Sequence, residues 1–468
     1  MTVDRRMILG GAAALWAAAG LPANAQTAIP TAVRPGRITV RGRQIAYRAE
    51  TGEMMMRNAA GQGRATIFSV GYIAEHADPK TRPVSFVWNG GPGGASWHLR
   101  EHLSPKMTVK ARTKTRYAFV ANPDSPIDVT DLVFIDAPGT GYSRFLSEDA
   151  KPEYWGVEQD GQAFADFIAG WLKDHDRQGS PVYLVGESYG GTRAGQIAKF
   201  LAARPQPIGL AGVALISPTL GSGGPANLPQ AVLALPSLAA TAHFHGRGLR
   251  ARQPLQAVVR AAEAFADGPY AAAIAKGEVT DALVDQVAGF TGLPRQMIVE
   301  AKLAPTLQQF RVGLLADKGE RLGGGDGREH KVPPPPAQDT VVTANDDYDL
   351  HASIVGLLTE ELGYTPAGPY VRDPVEANRK WNQQLTGPAY TPEILRTLPS
   401  KPKVFLVAGY YDLIVPYRAP LKALSAASLE PGRFEAHIYP TGHGVYEDLP
   451  SRPKATDDLR AFYRRAAG

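Results

Sequence analysis

Three apolar stretches that run straight into glycine constrain this chain more than anything else in it. They are "RPVSFVWNGGPGG" (82–94), "DLVFIDAPGTGYS" (131–143) and "PVYLVGESYGG" (181–191). Strands without polar alternation are buried on both faces, which is the signature of a parallel sheet covered by helices. "LAGVALISP" (210–218), "PKVFLVAGYYDLIVP" (402–416) and "RFEAHIYPTGHG" (433–444) continue the pattern. Helical spacing predicts helices over 156–175 and 192–204 between them, and another closing the chain at about 453–466. Ahead of them, from Gly36 to about Tyr72, short alternating pieces separated by turn residues predict an antiparallel meander. Strands alternating with helices give an α/β fold class with a mostly parallel central sheet.

Residues 219–390 break this grammar. They are rich in Ala and Pro, with helical stretches, a "GGGDG" loop (323–327) and a "VPPPPAQ" run (332–338) that reads as a stiff surface loop. The expected organisation is 1–25 as an export signal, 26–218 and 391–468 as the two parts of one sheet domain, and 219–390 as an inserted cap. The N-terminal "DRRMILGGAAALWAAAG" pairs Arg5 and Arg6 with an apolar run too short to span a bilayer. It resembles a twin-arginine leader, and "ANA" (23–25) is a small-x-small cleavage site. Export to the periplasm or the extracellular space is therefore expected, with no integral membrane span in the mature protein.

The chain has no cysteine, which excludes disulfides, thiolate nucleophiles and zinc–thiolate sites. Its 468 residues are 44% hydrophobic, enough for a large core. The net charge of +5 is thinly spread, and the basic runs Arg112–Arg116 and Arg247–Arg252 lack interleaved aromatics, so no nucleic-acid partner is expected. His243 and His245 form an H-x-H pair without further ligand-type residues at metal spacing, so no metal or cofactor is expected. Nothing in the sequence sets the oligomeric state.

Gly186-Glu187-Ser188-Tyr189-Gly190 fits G-x-S-x-G, between a strand and a helix. In that context the motif is a tight turn that presents Ser188 Oγ at the tip of the sheet. A serine nucleophile needs a base and an orienting acid, which in this architecture follow it in the order acid, then histidine. His437 and His443 are the two histidines that follow the strand ending near Ala408. His437 lies inside a strand, whereas His443 sits in a glycine-flanked loop beyond it, so His443 is the expected base. Asp412, just past the preceding strand, is the expected acid, although an aspartate there also caps turns. Oxyanion donors are expected from the backbone of Tyr189 and from "WNGGPGG" (88–94), where Gly90 and Gly91 permit unusual dihedrals.

The set "WNGGPGG", "DAPGTGYS", "GESYGG", "GYYDLIVP" and "GHGVYEDLP" resembles the serine carboxypeptidase family, in order and rough spacing, and its bacterial branch most of all. The motifs extend over nearly all of the mature chain. The resemblance implies an α/β-hydrolase fold with a cap and metal-free removal of C-terminal residues from peptide substrates through an acyl-enzyme, typically at acid pH. It implies a triad of Ser188, Asp412 and His443, oxyanion donors at Gly91 and Tyr189, and Asn89 and Glu187 holding the substrate's terminal carboxylate. Three departures stand out. Gly93-Gly94-Ala95-Ser96 replaces a cysteine-containing segment. Gly444 replaces a frequent methionine, which implies a more open pocket for the leaving residue. A further carboxylate-binding glutamate has no clear counterpart, Glu101 and His102 being nearest its register. An esterase or acyltransferase on the same scaffold shares the triad, and a silent binding protein would have lost part of it.

Overall fold

The computed structural model describes residues 31–110, 117–222, 228–331 and 350–466. The export signal, the 112–116 basic run and the 332–338 proline run lie outside these residues. The strands come in the order β1 (Thr31–Val40), β2 (Arg43–Arg57), β3 (Gly63–Ala74), β4 (Val84–Trp88), β5 (Lys106–Lys110), β6 (Tyr117–Ala121), β7 (Asp131–Ile135), β8 (Arg144–Phe145), β9 (Val182–Glu187), β10 (Leu210–Ile216), β11 (Arg321–Leu322), β12 (His330–Lys331), β13 (Lys403–Gly409) and β14 (Phe434–Tyr439). Ten of them form one sheet, ordered β1-β2-β3-β7-β4-β9-β10-β13-β14, with β8 paired to β3. From β7 to β14 every neighbour is parallel. β1, β2 and β3 form the antiparallel meander that the alternating pattern predicts.

Side chains alternate between the two faces of the sheet, so each continuous apolar strand feeds two cores. Phe86, Trp88, Leu184, Val213 and Leu406 pack with helices α2 (Val157–Asp174) and α3 (Gly190–Ala202). Val87, Val185, Ala214, Val407 and Phe405 pack against α1 (Trp97–Leu103) and the C-terminal helix Arg452–Ala466. Between β10 and β13 the chain is mainly helical. Gln230–Phe244, Leu255–Phe265, Asp281–Thr291 and Leu307–Gly313 surround an apolar cluster of their own. No helix among the described residues is long and apolar enough to cross a membrane.

Chain order places the site. After β4 the chain builds β7 on one side of it, then crosses back to build β9 on the other. In an open α/β sheet, the carboxyl ends of strands flanking such a reversal leave a crevice where ligands bind. Here those ends carry Asn89 and Ser188. A fully buried ion pair braces them: Arg193 Nε donates to Asp160 Oδ2 at 2.6 Å, and Arg193 Nη1 donates to the Asn89 carbonyl at 2.6 Å. Truncating one member of such a pair strands the other charge in the core. Arg193→Ala is therefore expected to lower unfolding free energy by about 3–5 kcal/mol, read from urea denaturation.

Candidate active site

The turn after β9 holds Ser188 at φ +58°, in the left-handed region that side chains seldom occupy. Three backbone bonds hold it there: Ser188 N–H donates to Ile216 O, and its carbonyl accepts from Gly191 N and Thr219 N, each at 2.9 Å. The flanking glycines are needed because neighbours press in. A Cβ on Gly190 would lie 2.9 Å from the Trp88 indole, and one on Gly186 would collide with the Gly190 carbonyl.

The glycine loop after β4 closes over this turn. A Cβ on Gly90 would stand 2.5 Å from the Tyr189 amide nitrogen and 2.8 Å from the Glu187 carbonyl. The two backbones touch, which brings Gly91, at φ +113°, to the same end of the sheet as Tyr189. Tyr189 leads into α3, and its ring packs edge-on to Trp381.

Asp412 is fully buried. Its Oδ1 accepts the Ile414 and Val415 amides at 2.8 and 2.9 Å, and its Oδ2 receives His443 Nδ1 at 2.7 Å. A carboxylate only accepts, so Nδ1 carries the proton and Nε2 is left as the basic atom. Burial pushes the His443 imidazolium down, but the Asp412 hydrogen bond and charge outweigh it and hold the group above the usual histidine range. His437, the histidine set aside on pattern grounds, faces Glu435 and Asp458 from β14.

Asn89 is fixed from every side. Its Nδ2 donates to Glu187 Oε1 at 2.7 Å, its Oδ1 accepts the Leu99 amide at 3.0 Å, and its own amide donates to Ser96 Oγ at 3.2 Å. Glu187 is 5% exposed, and its Oε2 has no hydrogen-bond partner among the described residues.

Two groups of residues had no part in the sequence reading of the site. His98, on α1, puts Nδ1 3.3 Å from Glu187 Oε1 and Nε2 3.3 Å from Glu447 Oε2. Glu101 and His102 do not take that place. Glu101 is engaged by the amide and hydroxyl of Thr108, and His102 lies beside Arg452. Gly444 does not open the pocket as its residue type implied, because a Cβ there would meet Glu447 Oε2 at 2.7 Å and His98 Cε1 at 2.9 Å. The His98–Glu447 pair fills the space.

The other group is the glycine loop 323–327. Its carbonyls at Gly325 and Gly324 accept the amides of His443 (2.6 Å) and Leu413 (3.2 Å). Arg328 then ties Asp326 to Asp448 and to the Pro440 carbonyl. Only the glycine content of this loop was visible in sequence, and that signals a turn rather than a target. His243 and His245 each bond a backbone carbonyl, of Gln253 and Gly327 respectively, at 2.7 Å.

Residues 59–226 match the serine carboxypeptidase family. The resemblance read from the motifs holds. That stretch contains Asn89, Gly91, Glu187, Ser188 and Tyr189. An Arabidopsis thaliana serine carboxypeptidase-like protein (number 29) is 32% identical over 142 residues, 29% of this chain and 28% of that protein. A pheromone-processing carboxypeptidase from the fungus Arthroderma otae is 31% identical over 150 residues, 31% of this chain and 22% of that protein. The matched stretch thus spans less than a third of either relative. The crystal structure of a prohormone-processing carboxypeptidase from Saccharomyces cerevisiae superposes with a TM-score of 0.56 at 15% identity, covering 90% of this chain and 91% of that one. The fold is that of the α/β hydrolases. The expectation of a bacterial branch is not borne out, since these relatives are plant and fungal.

The Gly90 contact yields a prediction. Gly90→Ala drives a methyl into rigid backbone at Tyr189 and Glu187. It should cost about 1–3 kcal/mol and slow fluorophosphonate labelling of the protein, followed by thermal melting and labelling rate.

Proposed function

We propose that this protein is an exported serine carboxypeptidase that removes C-terminal residues from peptides through an acyl-enzyme. The observation that carries the reading is the carboxylate of Glu187, nearly buried, oriented by Asn89 and next in sequence to Ser188. A neutral ester has no use for an acid there. A substrate that itself ends in a carboxyl group does, because a carboxyl–carboxylate pair or an intervening donor can hold it. This weighs against the esterase or acyltransferase reading. The matched family segment supports the same class.

In this reading Ser188 Oγ attacks the carbonyl of the last peptide bond while His443 Nε2 takes its proton. The N–H groups of Gly91 and Tyr189 stabilise the oxyanion. Collapse breaks the C–N bond, His443 returns the proton to the departing amine, and the C-terminal residue leaves. Water, deprotonated by the same histidine, then releases the shortened peptide from Ser188. Asp412 keeps the imidazole in the required tautomer. Asn89 and Glu187 hold the terminal carboxylate. Residues 219–390 serve as a cap over the crevice, between the sheet-domain parts 26–218 and 391–468. The leader 1–25 directs export, by the twin-arginine route.

The test is a peptide library offered free and C-terminally amidated, with products followed by mass spectrometry. Stepwise trimming of the free peptides is expected. Ester hydrolysis without trimming would overturn the reading.

Ser188→Ala should lower turnover by about 10⁴-fold or more, and Asp412→Asn and His443→Ala similarly, with His437→Ala active. The base works as neutral imidazole, so kcat/KM for amidated substrates should fall as pH drops through the raised His443 value. That acidic limb is expected above pH ~6.5 in the wild type, and lower in the residual activity of Asp412→Asn. N-terminal sequencing of the exported form should begin at Gln26. Export that survives Arg5→Lys with Arg6→Lys would exclude the twin-arginine route.

A further inference from the structure

His98 lies beside the candidate site, and the proposed mechanism gives it no role. Both of its ring nitrogens lie 3.3 Å from carboxylate oxygens, of Glu187 on one side and Glu447 on the other. Only the imidazolium carries a proton on each nitrogen, so only the cation satisfies both contacts. The ring is largely covered, at 19% side-chain exposure, and Gly444 leaves it the room it occupies. We propose that His98 is a positioning residue that supplies the positive charge of the terminal-carboxylate site, allowing it to bind a peptide's free C-terminus at neutral pH. The proposal rests on the reading of Asn89 and Glu187 given above.

The physical problem is repulsion. A free C-terminus is ionised above pH ~4, and a second carboxylate facing it in a partly desolvated cleft repels it. An imidazolium on the flank of Glu187 neutralises that acid without occupying its Oε2, which stays without a partner among the described residues. Without the cation, binding needs one of the two carboxyls to be protonated, which restricts it to acid pH.

The groups around the ring agree with a cation. Burial pushes the His98 imidazolium down. The Glu187 and Glu447 carboxylates outweigh this and hold it well above the usual histidine range. Glu101 and His102 lie on its own helix, with the His102 ring edge-on at 4.9 Å. His102 is held well below the usual range by burial, by His98 and by Arg452 of the C-terminal helix, so it adds no charge. His443 and Asp448 stand on the loop that carries Glu447. A group with a raised pKa keeps its proton below that value. The cation therefore persists to higher pH than in an ordinary histidine, and is lost as pH rises through the raised value.

The experiment compares KM and kcat for one N-blocked peptide, free and amidated at its C-terminus, from about pH 4.5 to 8 in wild type, His98→Gln and Glu447→Gln. In the wild type, KM for the free peptide should stay level through neutral pH. In His98→Gln it should rise as pH leaves the acid range, by about tenfold or more at pH ~7, with a smaller change in kcat and no matching rise for the amide. Glu447→Gln, whose side chain is 64% exposed, removes one of the two anions that hold the proton. It should move the KM rise to lower pH, and it serves if His98→Gln does not fold. A His98→Gln or Glu447→Gln enzyme whose KM follows the wild type at every pH overturns the proposal. A wild type that does not distinguish free from amidated peptide overturns the underlying reading instead.

Discussion

The site depends on two backbones in contact. β4 and β9 are parallel neighbours with Trp88 opposite Gly186, so the residues after them leave the sheet side by side. Asn89 and Gly90 then lie against Glu187, Ser188 and Tyr189 with no space for a Cβ at position 90. That approach brings the candidate nucleophile, both candidate oxyanion donors and the two candidate carboxylate-holding side chains to one point. It also explains the glycine density of both loops. Glycines 186, 190 and 90 are there because neighbours occupy the space a side chain needs, rather than for flexibility.

The candidate acid and base come from the far end of the chain and are held by a different device. Asp412 and His443 sit on loops after β13 and β14, and loops alone hold geometry poorly. Here the two loops are stitched, through the Leu413 and His443 amides, to the glycine loop 323–327, which belongs to the helical region between β10 and β13. Ser217, just past β10, adds a bond from its hydroxyl to the His443 carbonyl at 2.8 Å. The helical region is thereby tied to the triad candidates, so changes within it reach the base through backbone hydrogen bonds.

Charge is arranged against the usual rule that buried acids are fully paired. Glu187 has one oxygen engaged and one without a partner among the described residues, while a histidine cation stands at its side. A core built only for stability would not keep this arrangement, since an apolar residue of similar size would fill the space at less cost. Asp160 likewise keeps one oxygen without a partner among the described residues, but its other oxygen pairs with Arg193, which braces the Asn89 loop from the opposite side of the sheet.

Much of this was legible in the sequence. Continuous apolar strands, helical spacing and the meander follow from period and burial, which are local properties. Ser188, Asp412 and His443 follow from strand ends and chain order, and the structure joins Asp412 to His443 directly. The elimination of His437 also rested on a local fact, its place within a strand. What the sequence did not reveal depends on side chains meeting across long separations. Glu101 and His102 lay nearest the expected register, yet one turn of α1 puts His98, not either of them, against Glu187. Gly444 read as an opening, because a missing side chain suggests space, and only the packing of His98 and Glu447 shows that space filled. The sequence by itself determined the strands, the turns and the order of reactive groups, since these depend on neighbours a few residues apart. Tertiary structure alone decided which charges face the buried acid, because that depends on how a helix is rotated against a sheet it is not adjacent to in sequence.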